Sequence, residues 1–196
     1  MPLNEFSLQA VSDFKQTAAI RPSSRFLVDA MLEPLPVSEA QYVVELGPGT
    51  GVFTRQLLKR MSKDSKLLAF EINPKFTDYL IRNFSDSRLE ILNSCAGSAG
   101  DELIRRRWSR VDVVVTSLGF GLMSNEKIHE IFTGLMPFMD RNSMLSLFQY
   151  VHQMKYLDGR ISRFDVSTLL SKYFRHIDRR TVLRNLPPAF IFTCRV

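Results

Sequence analysis

Cysteine, histidine and long apolar runs are scarce in this 196-residue chain, and each scarcity excludes a class of protein. The two cysteines, Cys95 and Cys194, lie far apart and form no Cys-x-x-Cys pair, which argues against a disulfide framework or a zinc ribbon and fits a reducing compartment. The three histidines show no metal-ligand spacing, so we expect no bound metal. The longest mostly apolar stretch, 111–123, is interrupted by polar residues and is shorter than the roughly 20 residues of a membrane span, so any membrane contact is expected to be peripheral.

The composition fits one globular domain with a basic surface. The first residues lack the basic start and continuous apolar block of a secretion signal, so no cleaved leader is expected. Lys and Arg number 26 against 20 acidic residues, and the pI is about 9.5. This excess is compatible with an anionic partner, either nucleic acid or a lipid surface, and equally with a soluble basic enzyme.

Short apolar runs alternate with helical patterns along most of the chain. The predicted strands are 41–46, 66–72, 89–92, 111–116 and 144–150. The predicted helices between them present the apolar faces Phe53/Leu57/Leu58/Met61, Phe76/Leu80/Ile81/Phe84, Leu103/Ile104/Trp108 and Ile128/Ile131/Phe132/Leu135/Met136. Asn73 with Pro74, and Ser98 with Asp101, are predicted to cap the second and third of these helices.

The C-terminal part departs from this alternation. A short helix through Val166 and Phe174 precedes two strands, 176–183 and 189–196, which are close enough to pair antiparallel. Strands alternating with helices imply right-handed crossovers and a parallel sheet covered on both faces. The sequence therefore predicts a doubly wound α/β domain with seven strands, mostly parallel, with an antiparallel C-terminal strand.

A glycine-rich stretch, VVELGPGTG, follows the first predicted strand. Glycines let a backbone adopt positive φ and approach a ligand closely, and this turn lies where doubly wound sheets bind their ligands. Glu71 ends the second strand, where a carboxylate can accept hydrogen bonds from both hydroxyls of a ribose. The spacing of Gly47, Gly49 and Gly51 is not that of a dinucleotide fingerprint, and no P-loop lysine follows, so a nucleoside is the predicted ligand.

Two motifs carry a resemblance to a known class. ELGPGTG resembles motif I of class I S-adenosylmethionine-dependent methyltransferases, and LLAFEIN resembles their second motif. The resemblance implies a Rossmann-like fold, S-adenosylmethionine as cofactor and no metal. It places the cofactor against Glu45, Gly47, Gly49, Gly51, Glu71, Ile72, Cys95, Ala96 and Ser117. Glu45 either balances the positive charges of the cofactor or gives polar support beneath the loop.

Further blocks narrow the resemblance. AIRPSSRFLVDAM, FEINPKF, DVVVTSL, LFQY and RNLPPAFIF look like bacterial phospholipid N-methyltransferases of the soluble type, which convert phosphatidylethanolamine toward phosphatidylcholine. This chain has Ser117-Leu118-Gly119-Phe120 where the family tends to show Gly-Leu-Pro. It also places Cys95, in Asn93-Ser94-Cys95, where many relatives use an acid or a serine toward the adenine. Both departures bear on the acceptor and not on the fold.

The acceptor chemistry points to the end of the fifth strand. Methyl transfer is an in-line displacement that depends on alignment, and an amine acceptor must first lose a proton. Tyr150, predicted at the ligand side, is the catalytic candidate: its hydroxyl can accept the amine's hydrogen bond and its ring can hold methylated cations. The alternative is a partly buried aromatic without a catalytic role.

The N-terminal residues form the second part of the predicted organisation, a cap over 1–38 before a methyltransferase domain over 39–196. Apolar residues between Leu3 and Ile20 give this segment an amphipathic character, which fits either a helix lying on an anionic membrane surface or an ordinary packed cap. The basic run 105–110 could bind phosphates, but it is interpreted as a solvated helix end, because it follows a helix expected to lie away from the strand ends. We expect a cytoplasmic protein that associates peripherally with the inner face of the membrane.

Two other functions remain open from the sequence. An adenine methyltransferase acting on rRNA usually carries an Asn-Pro-Pro-Tyr-like or Asn-Leu-Pro-Tyr-like block after strand four, whose aromatic stacks a flipped base. The TSLGFG of this chain does not match that block, so nucleic acid is not the expected partner. A non-catalytic cofactor-binding module is also compatible with an intact motif I and Glu71.

Overall fold

The computed structural model of the protein describes residues 23–151, 154–157 and 160–196. Most of the predicted cap over 1–38, including its amphipathic segment, lies outside the described residues. The part that is described contains a helix at 25–32, and the boundary predicted at residue 38 stays a prediction.

Strands and helices alternate between residues 25 and 150. The helices are α1 Arg25–Leu32, α2 Val52–Arg60, α3 Pro74–Asn83, α4 Ala99–Arg105, α5 Asn125–Leu135 and α6 Ser167–Leu170. The strands are β1 Tyr42–Leu46, β2 Lys66–Phe70, β3 Leu89–Leu92, β4 Val113–Thr116, β5 Met144–Tyr150, β6 Met154–Leu157, β7 Arg160–Arg163, β8 His176–Val182 and β9 Ala189–Arg195. Short 3₁₀ turns cover Ala96–Ser98, Phe120–Leu122 and Met136–Phe138.

Seven strands form one mixed sheet in the order β3-β2-β1-β4-β5-β9-β8. β1 to β5 are parallel, and β9 is antiparallel to both of its neighbours. The predicted fold class is therefore confirmed. Because two antiparallel pairings follow each other, β8 runs in the same direction as β5, and Tyr150, Ala189 and Val182 lie side by side. The carboxyl end of β8 thus lies at the same end of the sheet as the carboxyl ends of β1 to β5. We call this end of the sheet its carboxyl edge.

β6 and β7 form a separate two-stranded antiparallel hairpin that the sequence reading did not predict. A signal was present, because Asp158-Gly159 between them is a dipeptide typical of tight hairpin turns.

The sheet is covered on both faces, as a doubly wound fold requires. α1 and α2 pack on one face, around Leu27, Met31 and Leu57, and α4, α5 and α6 pack on the other. No helix in the described part of the chain is both long and apolar enough to cross a bilayer.

The predicted N-cap residues of α3 and α4 are confirmed, whereas one predicted inward-facing residue of each helix is exposed. Asn73 Oδ1 accepts a hydrogen bond from Lys75 N–H at 3.0 Å and Pro74 begins α3, as predicted. Ser98 is the N-cap residue of α4, as predicted, but its side chain forms no capping hydrogen bond. Its hydroxyl donates to the Cys95 carbonyl at 2.8 Å, within the 3₁₀ turn that precedes the helix. Ile81 and Ile104, predicted to face inward, are 59% and 66% exposed because each lies one residue beyond the buried position of its helix.

Candidate active site

The glycine-rich stretch forms the loop between β1 and α2. Gly47, Gly49 and Gly51 all have positive φ, at 74°, 55° and 78°, so each takes the left-handed region that side chains disfavour. Gly51 also begins the turn into α2 as its N-cap residue. The loop therefore reverses the chain at the carboxyl edge of the sheet, as its sequence predicts.

The three glycines are required for different reasons. A Cβ on Gly51 would lie 2.5 Å from the Phe84 ring, and a Cβ on Gly47 would lie 2.8 Å from Leu118 Cδ2. A Cβ on Gly49 would meet nothing within 4 Å. Gly47 and Gly51 are thus pressed against protein, whereas Gly49 exposes bare backbone to open space. That uncovered backbone is the surface a ligand can approach.

Glu71 lies beside this uncovered backbone. Its carboxylate is fully buried: Oε2 accepts a hydrogen bond from Gly49 N–H at 2.9 Å, and Oε1 accepts one from Asn73 N–H at 2.9 Å. The end of β2 and the glycine-rich loop therefore form one unit. A carboxylate oxygen has more than one acceptor direction, so this arrangement fits hydroxyl groups seated over Gly49.

The residues after β3 hold Glu71 in place, a role that the sequence reading missed. Asn93 Nδ2 donates to the Glu71 carbonyl at 3.0 Å and to Thr77 Oγ1 at 3.2 Å, and Ser94 N–H donates to the same carbonyl at 3.1 Å. The signal available in the sequence was an amide side chain directly after a predicted strand.

The other cofactor candidates of this edge differ in exposure. Ile72 is 52% exposed next to Glu71, and Cys95 is exposed after β3. Ala96, which follows Cys95 in the segment after β3, is buried in the core. Ile72 and Cys95 can therefore contact a ligand at this edge through their side chains, whereas Ala96 packs beneath the surface that the ligand would contact.

Ser117 joins the end of β4 to the glycine-rich loop. Its N–H donates to the Leu46 carbonyl at 3.0 Å, and its hydroxyl donates to the Gly47 carbonyl. The next residue, Leu118, packs against Gly47. The Ser117 side chain thus positions the loop, and its contact with cofactor stays a prediction.

Glu45 is buried two residues before Gly47. Its Oε2 accepts a hydrogen bond from Thr54 Oγ1 at 2.7 Å, and its Oε1 has no hydrogen-bond partner. Burial raises the pKa of Glu45 to about 8. A buried carboxyl with an unpartnered oxygen is costly unless a donor or a cation approaches it, so Glu45 fits the predicted neighbourhood of a cationic cofactor group.

Tyr150 overhangs the edge of the sheet. Leu147 of β5 is level with Leu46 and Thr116, the last residues of β1 and β4, so Tyr150 extends about 10 Å beyond them. Its ring packs edge-on against Phe148 at 5.3 Å, and partial burial raises the pKa of its hydroxyl. The structure thus places Tyr150 at the mouth of the same edge, apart from Gly49 and Glu71.

The described residues contain no group of three or more His, Cys, Asp and Glu side chains that could hold a metal ion. The chemistry available at this edge is therefore that of an open backbone turn, two buried carboxyls and one overhanging phenol. The open turn and the unpartnered Glu45 oxygen fit a nucleoside that carries a cationic group.

Comparison with known proteins supports this chemistry. A family model for ribosomal RNA adenine dimethylases matches residues 23–95. An ornithine lipid N-methyltransferase from Singulisphaera acidiphila is 25% identical over 179 residues, which is 91% of this chain and 88% of that protein. A ribosomal RNA small subunit methyltransferase A from Mycoplasma capricolum is 31% identical over 68 residues, 35% of this chain and 24% of that protein.

Solved structures share the fold. An S-adenosylmethionine-dependent methyltransferase from Archaeoglobus fulgidus superposes with a TM-score of 0.65 at 15% identity, covering 88% of this chain and 95% of that one. Magnesium protoporphyrin IX methyltransferase from Synechocystis, with S-adenosylmethionine bound, gives 0.59 at 12% identity, covering 86% and 76%.

The fold and the site together define a class I S-adenosylmethionine-dependent methyltransferase. Its cofactor is S-adenosylmethionine. Within that class, both lipid and ribosomal RNA methyltransferases are similar to this chain, and they differ in how much of it they match.

Proposed function

We propose that this enzyme transfers a methyl group from S-adenosylmethionine to the amine headgroup of a membrane lipid, either a phospholipid such as phosphatidylethanolamine or an amino-acid lipid. The observation that carries the proposal is the extent of similarity. The lipid N-methyltransferase matches 91% of the chain, whereas the ribosomal family model ends at residue 95, before β4 begins. The ribosomal family model thus matches only residues 23–95, whereas the match to the lipid enzyme also extends over most of the rest of the chain, which supports a lipid acceptor.

The residue after β4 that would serve an adenine acceptor has another role here. Base-methylating enzymes of this class stack the flipped base on an aromatic side chain after strand four. Phe120, the aromatic of TSLGFG, is 3% exposed and packs against Phe132 with ring centroids 5.7 Å apart. Its ring is therefore part of the core and offers no platform to a base, which supports the lipid acceptor over RNA.

The protein residues divide the work of the reaction. Bound cofactor supplies an electrophilic methyl group on a sulfonium. In the proposed arrangement Glu71 holds the ribose hydroxyls over Gly49, and Glu45 faces the cationic half of the cofactor. This leaves the region under Tyr150 for the acceptor.

The acceptor amine must lose a proton before it can attack. If its pKa resembles that of lysine, about 10.4, deprotonation at pH 7 costs about 4 to 5 kcal/mol. A half-buried phenol that overhangs the edge can accept the amine's hydrogen bond and orient its lone pair toward the methyl group. Tyr150 is thus the proposed catalytic residue.

The proposal is tested by incubating the protein with methyl-labelled cofactor and, in separate reactions, a total lipid extract or purified ribosomal RNA. We expect label in amine-bearing lipids of the extract and none in RNA. The Glu71→Ala variant, at a cofactor concentration that does not saturate it, is the control with reduced labelling. Label in RNA alone would establish the ribosomal function instead, and label in neither, with cofactor still bound, would favour a non-catalytic module.

A further inference from the structure

Among the described residues, four of the eight exposed large apolar side chains lie at one edge of the molecule, and two of these are the most exposed of all. Leu183 and Leu186, in the loop between β8 and β9, are 76% and 70% exposed. Ile72 and Leu122 are exposed after β2 and β4. All four follow the carboxyl ends of strands that run in one direction, so they lie at the edge that holds the site.

The β8–β9 loop, residues 183–188, is held firmly beside this edge. Asn185 is 5% exposed; its Nδ2 donates to the Pro187 carbonyl at 2.7 Å and its Oδ1 accepts from Ser24 N–H at 3.2 Å. Val151 N–H donates to the Pro188 carbonyl at 3.0 Å, which ties the loop to the residue after Tyr150. Fixed backbone and outward-facing leucines mean that the loop presents apolar surface without having to be ordered first.

Two arginines flank the same loop. The guanidinium groups of Arg25 and Arg184 lie 4.9 Å and 5.3 Å from the ring centroid of Phe26, which is itself partly exposed. Among the described residues, neither arginine forms an ion pair. Both charges are therefore free to meet an anionic partner.

The densest basic run of the sequence behaves differently. Arg105 and Arg106 form salt bridges with Glu102, and Arg106 also bridges to Glu90. Their charge is largely balanced by neighbouring carboxylates. The surface with free cations next to exposed leucines is thus the β8–β9 loop and the start of α1.

We propose that Leu183 and Leu186 insert into the interface of an anionic phospholipid bilayer while Arg25 and Arg184 contact its phosphates. Apolar side chains ringed by basic ones are the pattern of interfacial membrane binding, with apolar burial and electrostatic attraction adding together. Docked in this way, the edge that carries Tyr150 faces the headgroups. The inference rests on the proposed function for its purpose, but vesicle binding is measured without turnover.

The test is flotation of the full-length protein with vesicles of equimolar phosphatidylglycerol and phosphatidylethanolamine. The double variant Leu183→Asp/Leu186→Asp is expected to lower the partition coefficient about 10-fold or more. Ile104→Asp is the matched control, because Ile104 is as exposed but lies in the last turn of α4, which leads to the opposite edge. This control is expected to float like the parent.

The charge contribution is tested with Arg25→Ala and Arg184→Ala. Each is expected to lower the partition coefficient about 5-fold on anionic vesicles and little on phosphatidylcholine vesicles. The matched control is Arg141→Ala, an exposed arginine in the turn that enters β5 at the opposite edge. Cofactor affinity and thermal melting of every variant should match those of the parent, which excludes misfolding.

Flotation of the double leucine variant at the parent level would overturn the docking surface, as would equal losses in the Ile104→Asp control. Methyl transfer to lipid is measured in the same samples as a separate quantity. Flotation that depends on the leucines without any lipid methylation would support the docking surface while contradicting the proposed acceptor.

Discussion

The backbone N–H of Gly49 donates a 2.9 Å hydrogen bond to Oε2 of Glu71, which joins the loop after β1 to the end of β2. The residue with the open backbone and the residue with the buried carboxylate are therefore direct neighbours. Because each residue supports the geometry of the other, substitutions at either position should lower the affinity for the cofactor.

Replacing Glu71 by Ala should weaken S-adenosylmethionine binding by about 2 to 3 kcal/mol, since both ribose hydrogen bonds to a charged acceptor are lost. Calorimetric titration measures the change. Glu33→Ala, which removes an exposed carboxylate of the residue following α1, is the control and should bind like the parent. Unchanged affinity in Glu71→Ala would contradict the assignment of this carboxylate to the ribose.

Alanine at Gly49 and at Gly51 should separate binding from folding. Gly49→Ala adds a methyl group to open space, so the free energy of unfolding should fall by only about 1 to 2 kcal/mol from the positive φ. Cofactor affinity should fall sharply because the methyl group occupies the ligand side. Gly51→Ala forces a methyl group against Phe84 and Leu80 and should destabilise the fold by roughly 2 to 5 kcal/mol.

These two variants are compared by chemical denaturation and by titration with cofactor. A greater loss of stability at Gly49 than at Gly51 would mean that the open face of the loop has been assigned to the wrong glycine.

Glu45 should make stability depend on pH near neutrality. Its pKa is raised from 4.5 to about 8 on folding, so the folded protein holds a proton that the unfolded chain has released. The contribution of this group is complete below about pH 4.5 and is lost as the pH rises through about 8. The free energy of unfolding should therefore decrease across this range, by up to about 1.4 kcal/mol per pH unit.

Glu45→Gln keeps the shape and the acceptor for Thr54 Oγ1 but cannot ionise. The free energy of unfolding, measured by chemical denaturation at several pH values between about 5 and 8, should depend less on pH in this variant than in the parent. Equal slopes in the two proteins would show that Glu45 does not titrate in this range.

Tyr150→Phe should lower turnover by about 10- to 100-fold with little change in cofactor affinity, because the ring that packs on Phe148 is kept and only the hydroxyl is removed. Steady-state kinetics with vesicle-bound acceptor measures the effect. Tyr173→Phe, which removes a hydroxyl that contacts His129 on α5, is the matched control and should turn over normally. Parent-level turnover in Tyr150→Phe would make Tyr150 a packing residue.

Deleting residues 1–20 should weaken flotation with anionic vesicles. For the full-length chain, flotation should also be weaker at high salt than at low salt, because salt screens the attraction between charges. The prediction comes from the amphipathic pattern of that segment in the sequence. Flotation of the truncated chain equal to that of the full chain would assign membrane binding to the rest of the protein alone.

The sequence by itself determined the sheet, the cofactor loop and the class of cofactor. Period-two and period-3.6 patterns are local, so β1 to β5 and the helices between them could be found within a few residues of their bounds. The glycine-rich loop could also be predicted, because the positive φ at three of its positions favours glycine whatever the rest of the fold is. The β6–β7 hairpin is not among the predicted elements, although Asp158-Gly159 is a local signal for it.

Only the tertiary structure decided which side chains are free to act. Ser117, Asn93 and Phe120 each carry a group that the sequence leaves available, and folding commits the first two to hydrogen bonds that hold the site and the third to the core. The tertiary structure also decided which basic residues are neutralised. Arg106 forms salt bridges with two carboxylates, whereas Arg184 packs over an aromatic ring. Apart from Glu102, which lies one helical turn before Arg106, these partners come from segments more distant in sequence, and no local pattern encodes which of them will meet.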